Sequence, residues 1–562
     1  MRRRWGFLAS LALVAGLIVP LGGARAGNTA HRFIVVYSPG VTLHQARAAV
    51  RAAGGTVVRE NAAVGVATAV SKSESFIADV ARAPELFGAA LNEPIGRTTA
   101  DTRPQWLDLE RLTAEERASA GADKGPRPID PPPGVEGFDP LGSLQWDMKM
   151  IHADQSYETQ RGDDDVLVGI IDTGIDGSHP DIAPNFNAEL SRNFTTDIPL
   201  VDGECVDDPD GSCEDPANVD ENSHGTHVAG TVAAALNGLG VAGVAPGVTL
   251  VNLRAGQDSG FFFLQETVDA LTYAGDNGVD VVNMSFFTDP WLYNCPDNPA
   301  DSEEEQEQQQ TIIEATQRAI DYARDHGVTP VAALGNEHTD LGNPTFDDIS
   351  PDFPPGTEKE RTVDNTCLDM PAEAEGVISV SSLGPSGSKS DFSNYGVEQT
   401  DVSAPGGWFR DFFGTTQHRV PGNLILNAYP ESVAIAVGDL NPDGTPNTPF
   451  VVQDCDDDVC AYYQWIQGTS MAAPHAVGVV ALIVSRFGVE DEVHGGLTLD
   501  PEVVQKILFK TASNHACPDP PLVSYVNVGR PESWDALCVG NREFNGFYGN
   551  GIVNAIAAVT PR

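Results

Sequence analysis

The stretch QWIQGTSMAAPHAVGVVALIV, Gln464–Val484, decides the fold, because it places a lone serine where a long apolar helix begins. The Ala- and Val-rich residues after Pro474 predict a buried helix. Gly468 and Thr469 lead into Ser470, so that the serine is surrounded by small residues at a helix N-terminus. Free N–H groups there favour negative charge. The competing interpretation is an ordinary N-cap.

Around this helix, apolar strands alternate with helical patterns from Leu141 to the end of the chain. The strand segments are 165–172, 248–255, 279–286, 328–334 and 376–383, and the helical segments are 225–236, 263–278 and 311–327. Strands that are apolar throughout and spaced by helices are typical of a parallel sheet covered on both faces. The sequence therefore predicts an α/β body, doubly wound and mostly parallel, over residues 141–562. Its reactive groups should gather at the carboxyl ends of the strands.

The N-terminus has the features of a secretory signal peptide over residues 1–26. Arg2, Arg3 and Arg4 precede an apolar run, and the small-residue site Ala24-Arg25-Ala26 follows. The apolar run is short for a membrane anchor. The sequence thus predicts a secreted, extracellular protein with no membrane association after signal removal. The arginines leave Sec and twin-arginine export both open.

Residues 31–100 have their own β-α-β-β-α-β rhythm, which predicts a small α+β ferredoxin-like unit. The next segment, 101–140, is rich in proline, glycine and charge, and it is interpreted as a mobile linker. The body is longer than the motifs require. Additional segments lie near 199–221, 288–311, 338–370 and 408–463.

Composition excludes some partners and suggests disulfides. A formal net charge of -47 argues against nucleic-acid binding and against an anionic membrane surface. Export makes the eight cysteines candidates for disulfides. Closeness in sequence suggests Cys205–Cys213, Cys455–Cys460 and Cys517–Cys538, and elimination leaves Cys295–Cys367, out of 105 possible connectivities.

Three polar side chains stand at predicted element ends. Asp172 follows a buried strand, His224 enters a helix of small residues, and Ser470 begins the helix quoted above. A hydroxyl becomes a good nucleophile when an imidazole takes its proton, and the imidazole needs an acceptor on its other nitrogen. An acid, a histidine and a serine would supply these three roles.

Taken alone, each of these signals has another explanation. Asp-Thr-Gly also marks aspartic proteases, but those need two such loops. The His224 and His227 spacing lacks the H-E-x-x-H pattern of a zinc site. An esterase elbow needs glycine where Ala472 stands, and its catalytic residues follow another order. His179, His227 and His475 are interpreted as structural.

The motifs together resemble the subtilisin-like serine proteases. They lie in the family's order at 170–182, 223–234, 240–246, 281–285, 331–337, 391–396, 402–407, 468–482 and 548–559. The resemblance implies a subtilisin-like fold for the body. It also implies that residues 31–100 are a propeptide that chaperones and inhibits the enzyme in trans, and that is removed by a cut between Asn92 and Leu141.

The resemblance assigns roles to four residues. Asp172 orients the imidazole, His224 is the general base and acid, and Ser470 attacks a peptide carbonyl to give an acyl-enzyme. Asn336 and the Ser470 backbone N–H stabilise the oxyanion. No cofactor is required for this chemistry.

The resemblance also suggests where an extended substrate peptide binds. One edge corresponds to Ser259, Gly260 and Phe261, and the other side to Ser285, Phe286 and Glu337. The family commonly has a small Leu-Gly-Gly run after that serine, whereas this chain has Phe286 and Phe287. The two aromatic rings either narrow the pocket or turn into the core while a shifted loop forms it, so specificity stays open.

One acidic segment has the spacing of a calcium loop. Asp439, Asn441 and Asp443 alternate before Gly444, but Phe450 stands where an EF-hand has its closing glutamate. The segment is either a structural Ca²⁺ site or a plain acidic turn.

We therefore expect a monomeric, secreted serine endopeptidase made as a self-processed precursor. Its partners are a protein or peptide substrate and its own propeptide. The alternative is a catalytically inactive homologue that acts as a secreted binding or scaffold protein.

Overall fold

The computed structural model describes residues 30–92, 109–122, 124–205, 212–354, 356–457 and 459–560. The predicted signal peptide lies outside the described residues, as does part of the predicted linker. One described helix, Thr469–Phe487, is long and apolar enough to cross a membrane, but 89% of its most apolar 18-residue stretch is buried within the protein. That burial identifies it as a core helix.

The N-terminal unit is a four-stranded antiparallel sheet with two helices on one face. Its strands are β1 His31–Tyr37, β2 Gly55–Asn61, β3 Val66–Ser71 and β4 Leu86–Leu91, in the order β2-β3-β1-β4, and its helices are α1 Leu43–Ala52 and α2 Phe76–Val80. Thr42 forms a capping box with Gln45 at the start of α1. The predicted β-α-β-β-α-β order is confirmed.

Three short helices follow in the chain, α3 Ala114–Ala118, α4 Trp146–Met150 and α5 Ala153–Ser156. The segment predicted as a mobile linker is therefore partly structured, and its described residues pack against the body. Arg410, for example, forms an ion pair with Glu116 of α3, with Nη2 2.7 Å from Oε1. Proline and glycine content indicates an irregular path but contains no information on these tertiary contacts.

The body is built on a seven-stranded sheet in which every described pairing is parallel. Its strands are β5 Leu167–Ile171, β6 Arg192–Asn193, β7 Thr249–Arg254, β8 Val281–Met284, β9 Thr329–Ala333, β10 Ile378–Leu383 and β11 Val402–Pro405, in the order β11-β10-β9-β8-β5-β7-β6. The central strands are buried on both sides, which explains their continuous apolar sequences.

Helices cover both faces of this sheet, as predicted. The body has seven further described helices. In chain order they are α6 His224–Ala233, α7 Leu264–Asp276, α8 Glu303–Asp325, α9 Glu431–Ala436, α10 Thr469–Phe487, α11 Pro501–Thr511 and α12 Ala555–Val559. One core contains residues of α6 and α10, and a second contains residues of α7 and α8. The acidic run 301–310 forms the first turns of α8, where Ser302 makes a capping box with Glu305.

The N-terminal unit sits on α7 and α8 with its other sheet face. Ile34, Val36 and Val66 share one apolar cluster with residues of both helices. Arg318 of α8 donates to the carbonyl of Tyr37 at 2.7 Å, and Thr68 donates to Gln265 of α7 at 2.9 Å. The N-terminal unit therefore contacts the body through one apolar sheet face packed on two helices.

The remaining strands form three small antiparallel sheets apart from the seven-stranded sheet. They are β12 Ile425–Ala428, β13 Val451–Asp456, β14 Val459–Ile466, β15 Val489–Glu490, β16 Leu497–Thr498, β17 Leu522–Val523 and β18 Ala536–Leu537. All four predicted disulfides are present: Cys205–Cys213, Cys295–Cys367, Cys455–Cys460 and Cys517–Cys538.

Candidate active site

Ser470 is the second residue of α10 and is buried at the carboxyl-end edge of the sheet. Gly468, just before the helix, has φ +153°, and a side chain there would collide with Glu110. The Ser470 carbonyl accepts a bond from Ser285 Oγ at 3.0 Å, and Ser470 Oγ lies 3.4 Å from the carbonyl of Ser285. This position leaves the backbone N–H of Ser470 among the unpaired donors of the first helical turn.

Asp172 and His224 form the first pair of the site. Asp172 follows the last residue of β5, and its Oδ1 lies 2.7 Å from Nδ1 of His224. The same oxygen accepts the Thr173 backbone N–H at 2.7 Å. Gly225 permits this approach, because a methyl group there would lie 2.1 Å from the Gly174 carbonyl and 3.0 Å from Cβ of Asp172. The carboxylate thereby fixes the histidine tautomer and ring orientation.

Asp220 holds the turn that presents His224. Its Oδ1 accepts the backbone N–H groups of Asn222 at 3.0 Å and Ser223 at 2.9 Å, and its Oδ2 accepts that of Thr226 at 3.0 Å. Ser223 has φ +89°, a left-handed conformation that costs free energy for a non-glycine residue. Asp220 therefore compensates a strained entry into α6 and keeps the histidine in place.

Asn336 lies three residues beyond β9 and faces the same cleft. Its Oδ1 accepts both the backbone N–H and the hydroxyl of Thr469, each at 2.9 Å. Because a backbone N–H can only donate, this contact fixes the amide orientation and directs Nδ2 away from Thr469. Nδ2 donates to Glu110 Oε1 at 3.1 Å. The arrangement suits an oxyanion donor held by the helix that carries Ser470.

The carboxylate of Glu110 occupies the cleft between these groups. Its Oε2 lies 3.2 Å from Nε2 of His224, while its Oε1 accepts from Asn336. The backbone of the same segment is also fixed, since the Glu110 carbonyl accepts the Gln467 N–H at 3.0 Å. Arg111 Nη2 donates to the carbonyl of Asn222 at 2.6 Å. Glu110 is fully buried, so the segment closes the site.

Two carboxylates act on the protonation of His224. Burial by itself lowers the pKa of this imidazole, but the charges of Asp172 and Glu110 outweigh burial and raise the pKa to about 10. In this closed arrangement the imidazolium is therefore the stable form at neutral pH. A general base must be neutral, so His224 cannot act as a general base in this protonation state.

The predicted substrate-binding residues divide into two groups. Ser285, Phe286 and Glu337 line a narrow pocket, of about 30 Å³, that opens beside Ser470. Phe286 also stacks on Phe262, with ring centroids 4.1 Å apart. Phe286 therefore packs against a core ring and also lines the pocket, which leaves the two alternatives for specificity open.

The second group, Ser259, Gly260 and Phe261, is not brought to that pocket. These residues form a tight turn, in which the Gly260 N–H donates to Gln257 at 2.9 Å and Ser259 donates to Asp202. Phe261 is buried in a small aromatic cluster with Phe263 and Phe353. The Phe261 side chain therefore anchors this turn on the body, and the assignment of the segment to a substrate edge stays a prediction.

The other histidines have structural contacts. His179 Nε2 lies 3.0 Å from the Tyr462 carbonyl, and His227 Nε2 lies 3.2 Å from the carbonyls of Ile425 and Gln464. Burial lowers the pKa of His227 to about 3. His475 contacts its own helix and Asp147. These contacts agree with their interpretation as structural residues.

The predicted calcium loop has internal partners for its side chains. Asp439 pairs with Arg117 at 3.1 Å, whereas Asp443 accepts the hydroxyl of Thr445 at 2.6 Å, and Asn441 donates to the same hydroxyl oxygen at 3.1 Å. Asp439 is buried while the other two are exposed. These contacts favour the alternative of a plain acidic turn.

A different group of acids has the spacing to hold a metal ion. Asp197, Asp215 and Asp258 each offer a carboxylate oxygen within 4.8 Å of the others. Arg254 contacts this group, with Nη1 2.7 Å from Asp215 and Nη2 2.7 Å from Asp258. A guanidinium therefore already supplies positive charge there.

Sequence reasoning missed Glu110, Asp220 and Asp369, which is a buried wall of the pocket beside Ser470. Asp220 had a usable signal, since it stands four residues before His224, ahead of a helix. Glu110 and Asp369 lie in segments of irregular sequence, and their positions depend on long-range packing.

The sequence profile of the subtilase family, Peptidase S8, matches residues 163–551, more than half of the chain. Subtilisin DY of Bacillus licheniformis is 27% identical over 372 residues, covering 66% of this chain and 92% of that protein. Fervidolysin of Fervidobacterium pennivorans is 26% identical over 356 residues, covering 62% of this chain. The alignment spans only 38% of fervidolysin's length.

Among solved structures, the epidermin leader peptide processing serine protease of Staphylococcus aureus matches with a TM-score of 0.60. The match covers 94% of this chain and 98% of that chain at 20% identity. Identity at this level supports a common fold and no more. The broad coverage agrees with the presence of both an N-terminal unit and a body.

Proposed function

We propose, from the premise that this chain belongs to the subtilase family of serine proteases, that it is a secreted endopeptidase made as a latent, self-processed precursor. One observation carries the proposal. A single carboxylate, that of Glu110, contacts both Nε2 of His224 and Nδ2 of Asn336. The general base and the oxyanion donor therefore face one small volume, beside the N-terminus of the helix that carries Ser470.

Catalysis begins once Glu110 leaves this volume and His224 loses its proton. His224 Nε2 then accepts the proton of Ser470 Oγ as that oxygen attacks the peptide carbonyl. Asp172 keeps the ring oriented and stabilises the imidazolium that forms. His224 next donates its proton to the leaving amine, which leaves an acyl-enzyme, and water attacks the acyl-enzyme in the same manner.

Negative charge on the substrate oxygen is stabilised by two donors. Asn336 Nδ2 is directed into the cleft because Thr469 holds the amide oxygen. The Ser470 N–H lies in the first turn of α10, where the helix dipole also favours an anion. In the precursor, the Glu110 carboxylate takes the place of that anion on Asn336.

Latency is supported by the path of the chain before the body. Residues 109–111 lie across the cleft, and the N-terminal unit upstream of them packs on α7 and α8. A peptide cannot approach His224 while Glu110 is buried there. Maturation therefore requires a cut in the connecting segment between Asn92 and Leu141 and departure of the pieces upstream.

Export is supported by the N-terminal sequence and the cysteines. Residues 1–26 have the order of a signal peptide, and every cysteine is paired. Disulfides persist in oxidising compartments.

Labelling with a fluorophosphonate tests the proposed chemistry. The secreted full chain and its Ser470→Ala variant are incubated with the probe, and labelled peptides are located by mass spectrometry. We expect labelling of Ser470 in the wild type and none in the variant. If processed wild-type protein carries no label on Ser470, the result would favour the alternative of a catalytically inactive homologue that acts as a scaffold.

A further inference from the structure

Two acidic side chains are among those that line the pocket beside Ser470. The lining includes Ser285, Phe286, Phe287, Glu337 and Asp369. Because Ser470 itself lines this pocket, the pocket receives the side chain of the substrate residue that precedes the scissile bond. The chemistry of these walls therefore decides where the enzyme cuts.

Asp369 is the more deeply placed of the two acids. Its side chain is buried, and Oδ1 has no hydrogen-bond partner among the described residues. The backbone of Asp369 is fixed, since its N–H donates to Glu373 Oε2 at 2.8 Å. Burial, with the nearby charges of Glu337 and Glu373, raises the pKa of this carboxyl well above its usual range. Without a partner this acid is therefore protonated at neutral pH, and a cation that enters the pocket would favour its ionised form.

Glu337 converges on the same place. A methyl group on Gly335 would lie 2.7 Å from Glu337 Oε2 and 3.3 Å from Asp369 Oδ2, so the two oxygens are separated by no more than the sum of these distances. Glu337 Oε2 accepts the Asn336 N–H at 2.8 Å and Asn394 Nδ2 at 2.7 Å. These bonds hold one oxygen of Glu337 in place. Two acids therefore share one end of a narrow pocket.

Neighbouring acids differ because the fold supplies them with cations. Arg361 lies 2.7 Å from Asp301 and also pairs with Asp347, and Lys359 lies 2.8 Å from Glu305. Among the described ion pairs none involves Glu337 or Asp369, and neither lysine nor arginine is among the pocket's lining residues. The positive charge that would complete this site must therefore come from outside the described residues.

We propose that this pocket selects lysine or arginine as the residue immediately before the scissile bond. The proposal rests on the endopeptidase function proposed above. The volume of the pocket, about 30 Å³, is smaller than such a side chain, so the walls must widen around the unbranched stem as the cationic end approaches Glu337 and Asp369. A large ring or a carboxylate at this substrate position would find little space or like charge.

Peptide substrates that differ only at this position test the proposal. The processed enzyme from expression of the full chain is assayed with lysine, arginine, leucine, phenylalanine and glutamate before the bond, and kcat/KM is measured for each. We expect kcat/KM for the lysine and arginine substrates to exceed that for the other three by about 30-fold or more. This factor is the lower end of the effect seen when a desolvated charge pair loses one partner.

Two variants locate the selectivity. Asp369→Asn and Glu337→Gln keep side-chain size and remove one charge each, and both should lower the ratio of lysine to leucine cleavage. Asp443→Asn removes one acid from an exposed turn and should leave that ratio unchanged. Melting curves check that the variants fold. If Asp369→Asn fails to fold, Glu337→Gln alone still measures the effect of the pocket's charge.

The outcomes separate this proposal from the one on which it rests. Preferred cleavage after leucine or phenylalanine by enzyme that labels at Ser470 would overturn the pocket assignment alone. Absence of both labelling and cleavage would overturn the endopeptidase function. A preference for lysine that survives in both pocket variants would also reject the assignment, because the acids responsible would lie elsewhere.

The chain's own maturation offers a second readout. Between Glu110, which must leave with the upstream piece, and Leu141, the basic residues not followed by proline are Arg111, Arg117 and Lys124. N-terminal sequencing of protein matured from pure precursor should find a start directly after one of them. A start after a neutral or acidic residue in such a preparation would count against the pocket assignment.

Discussion

The cleft contains two groups of buried carboxylates that differ in what balances their charge. Around His224, Asp172 and Glu110 lie on opposite sides of one imidazole, at 2.7 Å and 3.2 Å. In the pocket beside Ser470, Glu337 and Asp369 converge without a described ion pair. Burial is similar at His224 and Asp369, so the supply of a cation is the difference between the two groups.

The acids around His224 thus have a cationic partner within the chain, whereas Glu337 and Asp369 have none among the described residues. A raised pKa for His224 and a raised pKa for Asp369 follow from the same rule: each group adopts the protonation state that its surroundings stabilise. In the first group both carboxylates lie against one imidazole of the chain itself. In the second group no cation is among the described contacts, and under the proposal above a basic substrate side chain would supply it.

The largest effect should come from Ser470→Ala, which removes the nucleophile. One group of acids contacts its general base, and the other lines the pocket beside it. We expect a folded, secreted and uncut precursor, with kcat in trans reduced by about 10⁶-fold, the loss known for subtilisin, a relative. Mass spectrometry of protein from a host lacking other proteases measures the cut. A mature-sized product from the pure variant would rule out self-processing by Ser470.

Asn336→Leu should have the next largest effect. It removes one oxyanion donor and leaves the charges at His224 and in the pocket intact, so kcat should fall by about 10²–10³-fold, as for one donor in subtilisin, with KM little changed. Steady-state kinetics on a lysine substrate is the measurement. A rise in KM with unchanged kcat would instead make Asn336 a ground-state binding residue.

Glu110→Gln removes one of the two carboxylates that hold His224 protonated. The folded pKa of His224, about 10, lies above the usual value for histidine. The contacts of protonated His224 with the two carboxylates therefore stabilise the folded state fully below about pH 6.5. This contribution to stability is lost as the pH rises to about 10. In the variant the pKa of His224 falls, so maturation should begin at lower pH, and at neutral pH it should be about tenfold faster for each unit of decrease.

The measurement is the rate of precursor cleavage between pH 6 and 10 by gel densitometry. Glu115→Gln is the matched control, because Glu115 is an exposed acid five residues away on α3. Identical pH profiles for wild type and Glu110→Gln would show that Glu110 does not control the protonation of His224.

The sequence was sufficient to predict the parts of the molecule that depend on local pattern. The strands before Asp172 and Asn336 and the helices that begin at His224 and Thr469 follow from apolar periodicity, and the triad follows from motifs at their ends. The cysteine pairs were close enough in sequence to be matched, apart from Cys295–Cys367, which followed by elimination.

The parts that could not be predicted depend on long-range packing. Glu110 contacts His224 although the two residues are 114 positions apart in the chain. Asp369 lies near Glu337 because of the path of an intervening loop, whose sequence has no regular pattern. The turn at Ser259–Phe261 closed because Phe353, far along the chain, offered an apolar contact. Periodicity contains no information on such encounters.

The smallest effect should come from Asp443→Ala, in a third acidic region that is satisfied by its own turn. Asp443 accepts both the backbone N–H and the hydroxyl of Thr445, bonds that lower its pKa. We expect equal calcium-dependent shifts of the melting midpoint in wild type and variant. Asp439→Asn, which breaks the pair with Arg117, should lower the midpoint equally in calcium and in chelator. A calcium shift that is smaller in Asp443→Ala would restore the calcium loop that the spacing suggested.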